Sequence, residues 1–394
     1  MFTSLVSSSL KLLRGAENSV SVPGVGSARP PWKGAGIMLG LGQRLGLFIV
    51  AGLAMTGISR QASAGTVMTP FGVADDSCVH ETPMGAGIDA QSGDVAVNGK
   101  VVDHYGPCAV PWKLKMPKKT SDNEGPPIPA TGWYSWSDAQ AASISGTVYP
   151  YDELYVDWTV PTNPSNVSGD YPIEYMFSGL QNNQSLSSNG TGCGSTMILI
   201  QPVLEWGDNT CGGTTPSWQM ASWEVWGCTA SGSSCTSCNT AHSPWTSVSA
   251  SDSISGEMWQ YANNLDAWEI YMYDNTSSAW TYNTLYNISS SSPKFESAQM
   301  GVFEAYNWPP SGNPKTCTTI ASLAHCSDLS HADSLTFDLV GAYQADPSWN
   351  SFYETDAYGS NQLSWGGWVA TSPSPSCSWW NSVTSTTTDI TWVY

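Results

Sequence analysis

Apolar and polar residues alternate over short stretches of this chain, a pattern typical of half-buried β-strands. The clearest example runs from Met197 to Gly207. At a period of two, Gln201 and Glu205 fall on one face of this strand, so an otherwise apolar stretch carries an amide and a carboxylate on the same side. Pro202 cannot donate to a hydrogen-bond ladder, which predicts a bulge or an edge position there.

Similar short runs, separated by Gly, Pro, Ser and Asn turns, predict a main domain that is nearly all β. The predicted strands are Leu154–Val160, Glu174–Phe177, Met197–Trp206, Ser217–Trp226, Met258–Tyr261, Trp268–Asp274, Ser297–Tyr306, Ser334–Leu339 and Thr388–Val393. Strands at this spacing predict a two-sheet antiparallel β-sandwich or jelly roll, concanavalin-like, with a small N-terminal appendage.

Composition divides the chain into three segments. Residues 1–64 are predicted to be a leader and signal peptide, because an apolar run follows Arg44 and ends before Ala62-Ser63-Ala64. Residues 65–130 are predicted to be an N-terminal subdomain or a pro-segment, with a hairpin turn at Asn98-Gly99 and a Pro-rich linker. Residues 131–394 hold the predicted sandwich.

The charge of the chain is strongly negative, with 13 Lys and Arg against 32 Asp and Glu. The leader holds six of those basic residues and one of the acidic ones, which leaves a net charge of −24 after its removal. Such a surface excludes nucleic acid and anionic membranes as partners. Four of the seven remaining lysines cluster at 113, 115, 118 and 119. This cluster suggests a pro-segment that docks on the acidic domain and leaves when acid neutralises the carboxylates.

All ten cysteines follow the predicted signal peptide, and an even number in an exported chain indicates disulfides. Cys78–Cys108 and Cys317–Cys326 are the pairings that we favour. A metal knuckle at Cys228, Cys235 and Cys238 is disfavoured, because the surrounding loop is rich in Ser and Thr and has no closely spaced His. We therefore expect a secreted protein without a metal.

The remaining motifs limit which catalytic mechanisms the chain could use. The five histidines form no His-Glu-x-x-His pair, and Gly-x-Ser-x-Gly is absent, so zinc peptidases and serine hydrolases lack support. No Gly-rich loop leads into a helix, and we expect no cofactor. The candidates that remain for catalysis are three carboxylates, Glu205, Glu224 and Glu304, and the amide of Gln201. Two Glu could cleave a glycosidic bond, or one carboxyl could activate water while an amide holds the oxyanion.

The order of several motifs resembles the glutamic peptidases of the eqolisin type over roughly residues 131–340. These motifs are Trp158-Thr-Val-Pro161, Ile198-Leu-Ile-Gln-Pro-Val-Leu-Glu205, Trp218 to Trp226, Asp252-Ser-Ile-Ser-Gly256 and Ala298 to Glu304. The chain departs from the family on the last strand. Family members carry Ala-Glu-Trp, whereas this chain has Ala298-Gln-Met300, followed later by Glu304.

The resemblance implies a secreted, cofactor-free acid endopeptidase with a jelly-roll fold. Gln201 would stabilise the oxyanion, and Glu304 would activate water and protonate the leaving amine. Five residues are predicted to bind substrate: Glu205, Glu224, Gln181, Trp218 and Trp226. The expected partner is a polypeptide bound by a monomer. The alternatives are a carbohydrate-active jelly roll, either a glycoside hydrolase with paired Glu or a lectin, and a relative that has lost the chemistry.

Overall fold

The computed structural model describes a defined part of the chain. The described residues are 66–70, 72–106, 108, 133–141, 143–144, 147–148, 150–164, 172–182, 198–207, 216–231, 234–236, 238–261, 264–288, 295–307, 329–330, 334–345, 356–358, 365–369 and 378–393. They belong to one compact unit, Arg60–Tyr394. The predicted signal peptide, the lysine cluster and Cys317–Cys326 lie outside the described residues.

The described residues form strands and one 3-10 turn, Asp76–Cys78. The first thirteen strands are β1 (Thr66–Thr69), β2 (Gly72–Asp75), β3 (Val79–Glu81), β4 (Gly87–Asp89), β5 (Asp94–Val97), β6 (Lys100–His104), β7 (Trp133–Gln140), β8 (Ser143–Ile144), β9 (Thr147–Val148), β10 (Tyr151–Thr159), β11 (Pro172–Asn182), β12 (Leu199–Gly207) and β13 (Ser217–Trp226). The others are β14 (Thr229–Ser231), β15 (Ser234–Thr236), β16 (Asn239–His242), β17 (Thr246–Ser247), β18 (Ser253–Tyr261), β19 (Asn264–Asp274), β20 (Trp280–Tyr286), β21 (Phe295–Asn307), β22 (Ser334–Ala345), β23 (Asp356–Tyr358), β24 (Gly366–Val369), β25 (Ser378–Val383) and β26 (Thr387–Val393).

Strand pairing arranges most of these strands in two layers, called sheet I and sheet II, which are joined at one pair, Tyr151 of β10 with Phe295 of β21. Sheet I has the order β25-β26-β22-β10-β18-β19-β20-β4-β5-β6. Sheet II has the order β24-β7-β21-β11-β12-β13-β16-β3. The pairs β20–β4 and β16–β3 are parallel, and the other pairs in these two orders are antiparallel. The predicted two-sheet, all-β fold is confirmed.

The main core lies between the two sheets. It contains Leu154 and Ile270 of sheet I together with Ile200 and Met220 of sheet II. A second apolar cluster covers the opposite face of sheet II, which we call the outer face of sheet II. Because both faces are covered, all nine residues of β12 are buried, which explains its nearly continuous apolar sequence.

The strand β12 lies inside sheet II and not at its edge, since β11 and β13 pair with it on either side. The ladder to β11 contains the pairs Phe177–Val203 and Leu180–Ile200 but is interrupted between them, opposite Pro202. On the far side of β11, the register with β21 shifts between Phe177 and Gly179. The proline therefore coincides with a local irregularity in the centre of the sheet.

The described cysteines form two disulfides. Cys78 bonds to Cys108, as predicted, and Cys228 bonds to Cys238. The second bridge commits two of the three thiols that a metal knuckle would need. The predicted turn is also present, because Asn98 and Gly99 adopt positive φ values of 51° and 74° between β5 and β6.

Gly256 allows the two sheets to approach each other behind Pro202. A Cβ atom at this position would lie 2.6 Å from Pro202 Cγ and 2.8 Å from Trp158 Cη2. We expect Gly256→Ala to lower the free energy of unfolding by about 2 kcal/mol, because close-packed ring atoms cannot move aside. Chemical denaturation would measure the change. Gly106→Ala is the control, since a Cβ there meets no heavy atom within 4 Å. Equal stability of the two variants would contradict the prediction.

Candidate active site

Gln201 lies near the middle of β12 with its side chain on the outer face of sheet II. Its neighbours at a spacing of two, Leu199 and Val203, belong to the outer apolar cluster. The residue has 0% exposure. Neither the oxygen nor the nitrogen of its side-chain amide has a hydrogen-bond partner among the described residues. Buried amides are normally hydrogen-bonded, so this orphan group indicates a place for a ligand.

Gly179 separates Gln201 from a second glutamine, Gln299. A Cβ atom at Gly179 would lie 3.0 Å from Gln299 Oε1 and 3.6 Å from Gln201 Nε2. The two amide groups therefore face each other over the glycine. Gln299 Oε1 is also buried without a hydrogen-bond partner within the described ranges. Only glycine leaves this space open, because any side chain would fill the gap between the amides.

A hydrogen-bonded network extends from Gln299 toward β7. Gln299 Nε2 donates to Ser297 Oγ at 3.1 Å, and Gln140 Nε2 lies 3.1 Å from the same oxygen. Gln140 Nε2 also donates to Asp138 Oδ2 at 3.1 Å. Trp136, two residues before Asp138, packs in the outer apolar cluster, which places Asp138 and Gln140 on the outer face as well.

Side chains of paired residues form rows that run across neighbouring strands. Glu304 and Glu205 also lie on the outer face of sheet II, but in a different row from Gln201. Both pair with Tyr175, one on each side, and Gln219 continues the row with its Nε2 3.4 Å from Glu205 Oε1. Both carboxyls are buried. On β12, Gln201 and Glu205 are four residues apart, about 13 Å along the strand. The structure places Gln201 and Glu304 on one face but does not bring them together.

Glu224 lies on the opposite face of sheet II, in the space between the sheets. It is fully buried, and Asn283 Nδ2 donates to its Oε1 at 3.0 Å. Burial raises the pKa of Glu224 well above its ordinary value, and the bond from Asn283 offsets part of this rise. Glu224 therefore shares no groove with Gln201, Glu205 or Glu304.

Trp218 and Trp226, predicted to bind substrate, also point between the sheets. They are 2% and 1% exposed and pack in the main core, so we assign them to packing. Alternation in the sequence places residues on one of two faces without saying which face is the interior, and the face that carries these tryptophans is the inner one. Gln181 lies on the outer face, two residues after Gly179, and pairs with Ser297.

An aromatic cluster borders the site on the side of β13. Trp223 pairs with Gln201, and its ring centroid lies 4.6 Å from that of His242. Burial lowers the pKa of His242 to about 4, while a hydrogen bond with Ser243 O opposes the shift. The imidazole is thus neutral except in strong acid. In the sequence, His242 has no other histidine at the spacing of a metal site, so nothing marked it as a candidate residue. Its place beside the site follows only from the pairing of β16 with β13, which sets it next to Trp223.

No group of three or more His, Cys, Asp or Glu among the described residues could hold a metal ion. No helix in the described ranges is long and apolar enough to cross a membrane.

These observations define an all-β protein of two facing sheets with a polar row on the outer face of one sheet. Its structure is similar to a crystal structure of Scytalido-glutamic peptidase with a peptide-based transition-state analogue, at 14% identity and a TM-score of 0.36, covering 67% of this chain and 99% of that chain. It is also similar to SCP-B, a member of the eqolisin family in complex with a tripeptide, at 11% identity and a TM-score of 0.33, with the same coverage. No family model matches the sequence, and no curated protein matches it.

Proposed function

We propose that this protein is a secreted, peptidase-like hydrolase that binds an extended polypeptide along the outer face of sheet II. Binding requires that the residues covering this face, among them Met68 and Ala74 near the N-terminal end of the described chain, first move away from it. The observation that carries the proposal is the fully buried amide of Gln201, whose two polar atoms have no hydrogen-bond partner in the described part of the chain. Leaving such a group unpaired costs about 1–3 kcal/mol. A peptide unit can offset that cost, because it offers both a carbonyl oxygen and an N–H.

The proposed chemistry uses Gln201 as a hydrogen-bond donor to the scissile carbonyl oxygen. Negative charge grows on that oxygen when water adds to the carbonyl carbon, and a fixed donor in a buried site stabilises the charge. A glutamine amide does not titrate, so it keeps its donor in acid. Gln299 Oε1, which faces the same gap, can accept a hydrogen bond from the water or from the substrate N–H.

The row that contains Glu205 and Glu304 is proposed to bind the substrate away from the scissile bond. Glu205 and Glu304 lie about four residues of extended chain, roughly 13 Å, from the row of Gln201. A general base must reach its proton directly or through one water molecule, so Glu304 is too distant to share a bond with Gln201. In this proposal Glu205, Glu304 and Gln181 contact residues of the substrate on either side of the bond that is cleaved.

The proposal predicts acid proteolysis by the full chain. An unfolded protein substrate incubated with it between pH 2 and pH 7 should yield discrete peptides, identified by mass spectrometry. Unfolded chains suit a site of this kind because a substrate must be extended to lie along a sheet. The absence of any cleavage across this pH range would overturn the proposed function.

Glycoside hydrolysis is the second candidate, and the pairing of Glu205 and Glu304 with opposite sides of Tyr175 favours it. Two carboxyls on strands two apart have Cα atoms roughly 10 Å apart, from which paired catalytic groups could approach a sugar. If this candidate is correct, Glu205→Gln and Glu304→Gln should each abolish release of reducing sugar from a polysaccharide panel. Under the peptidase proposal the same variants should raise KM for polypeptide and release no sugar.

A further inference from the structure

The row that contains Gln201 holds two carboxyls among the described residues. Asp138 lies on the side of Gln299, whereas Glu81 pairs with His242 beyond Trp223, at the other end of the row. Strand pairing sets Gln140 and Ala139 of β7 beside Ser297 and Ala298 of β21, and the register shifts between Ala298 and Val302. Continuing the first register by one residue, we infer that Asp138 lies beside Gln299. Across the sheet the row then continues through Gly179 and Gln201 to Trp223. Glu205 and Glu304 belong to the other row, and Glu224 to the other face. His242 lies beyond the Trp223 indole, away from the gap over Gly179.

We propose that Asp138 supplies the catalytic carboxyl of the hydrolase, with Gln140, Ser297 and Gln299 as positioning residues. This inference rests on the proposed function. Asp138 is 5% exposed, and its Oδ2 accepts from Gln140, which also contacts Ser297. Ser297 in turn accepts from Gln299 Nε2, which turns Gln299 Oε1 toward Gln201. These hydrogen bonds thus connect the Asp138 carboxyl to the gap between the amides of Gln201 and Gln299.

The distance between β7 and β11 leaves room for a water molecule that takes part in the reaction. The Cα atoms of Asp138 and Gly179 are two strands apart, roughly 10 Å, which leaves room for the carboxyl and one water molecule. A water in the gap can donate one hydrogen to Gln299 Oε1 and the other to Asp138. Gln299 cannot accept a proton at any ordinary pH, so it orients the water and Asp138 does the proton transfer.

The step balances with water as the second reactant. The water oxygen forms a bond to the scissile carbonyl carbon while one of its protons moves to the Asp138 carboxylate. The carbonyl oxygen becomes an oxyanion that accepts a hydrogen bond from Gln201 Nε2. Asp138 then returns the proton to the amide nitrogen, the carbon–nitrogen bond breaks, and a carboxylic acid and an amine leave with Asp138 ionised again.

The direct test is Asp138→Asn, which keeps the size of the side chain and removes its proton transfer. We expect kcat to fall at least 100-fold and the remaining rate to lose its dependence on a carboxyl in the pH profile. Asp138→Glu should recover part of the rate, because it returns a carboxyl. The free energy of unfolding, measured on each variant, separates this effect from misfolding. Asp103→Asn, at an exposed carboxyl on β6 of sheet I, is the control, and its kcat and KM should both stay within about threefold of the unaltered protein.

A compensating pair of substitutions gives a sharper readout. In the double variant Asp138→Asn with Gln299→Glu, the new carboxyl stands directly across Gly179 from Gln201. We expect it to raise kcat at least tenfold above that of Asp138→Asn alone. Gln299→Glu alone is the control. If Asp138 already supplies the carboxyl, the added one should change the rate of the unaltered protein by less than about threefold, whereas an equal tenfold gain there would contradict the assignment of Asp138.

The outcomes separate the two proposals. If Asp138→Asn keeps its kcat and pH profile while Gln201→Ala loses activity, the assignment of Asp138 is wrong and the hydrolase stands. A folded double variant that recovers nothing would also overturn the assignment of Asp138. If the unaltered protein cleaves no polypeptide, the proposed function itself fails.

Discussion

Replacement of Gln201 by alanine is expected to lower kcat/KM for polypeptide hydrolysis by about 100- to 1,000-fold, the usual cost of removing one oxyanion donor. The loss should fall mainly on kcat, because the hydrogen bond strengthens as charge develops on the carbonyl oxygen. Steady-state kinetics with a defined peptide at acid pH would measure it. The physical reason is that Gln201 Nε2 would lie 3.6 Å from a Cβ atom at Gly179 and has no hydrogen-bond partner among the described residues, so it can donate to a carbonyl oxygen in that gap.

Gln219→Ala is the matched control for this experiment. Gln219 is also a glutamine on the outer face of sheet II, but it belongs to the row of Glu205. Its loss should leave kcat within about threefold. A Gln201→Ala variant with unchanged kcat/KM would contradict the assigned role of the amide.

The same position should show a trade between stability and activity. Gln201→Leu replaces a buried, unpaired amide with an apolar group of similar size, so we expect the free energy of unfolding to rise by about 1 kcal/mol while activity is lost. A destabilised Gln201→Leu variant would indicate that the amide is satisfied in the folded protein and holds it together.

The stability of Glu174→Gln relative to the unaltered protein is expected to increase with pH by about 4 kcal/mol between pH 4 and pH 7.5. Burial raises the pKa of Glu174 from its ordinary 4.5 to about 8, and hydrogen bonds from Ser330 oppose this rise. Between these two values the folded protein holds a proton that the unfolded chain has released. The contribution of Glu174 is therefore full below pH 4.5 and declines as pH rises toward 8. Glutamine has no proton to lose, so the variant avoids that decline.

Urea denaturation at a series of pH values would measure the difference. The change with pH is the diagnostic quantity, because constant effects of the amide cancel. The backbone N–H of Ser330, which donates to Glu174 Oε1 at 2.7 Å, can donate equally to the glutamine oxygen. Glu81→Gln, at an exposed carboxyl on β3, is the control for the chemical change itself. A difference for Glu174→Gln that stays flat with pH would show that this carboxyl ionises normally in the folded protein.

The local pattern of apolar, polar and turn-forming residues was sufficient to predict much of the fold. Ser217–Trp226 was predicted with its observed bounds, and the Asn98-Gly99 turn was identified from two residues, because both signals depend on neighbours in sequence. Period two also placed Gln201 and Glu205 on one face. Strands such as β7 and β20 were not predicted. β20 ends as Thr284-Leu285-Tyr286 and alternates weakly, and its pairing with β19 and β4 defines it as a strand.

The sequence by itself determined that the chain is all β, rich in carboxylates and built around a strand with an unexplained amide. Only the tertiary structure decided which side chain meets that amide. A register shift of one residue between Phe177 and Gly179 sets Gln299, and not Met300, across Gly179 from Gln201, while Glu304 pairs with Tyr175 four residues away. It also brings Asp138 into the same row, although Asp138 lies far from Gln201 in sequence. Register between distant strands depends on the packing of the whole sheet, so no local pattern could have shown these contacts.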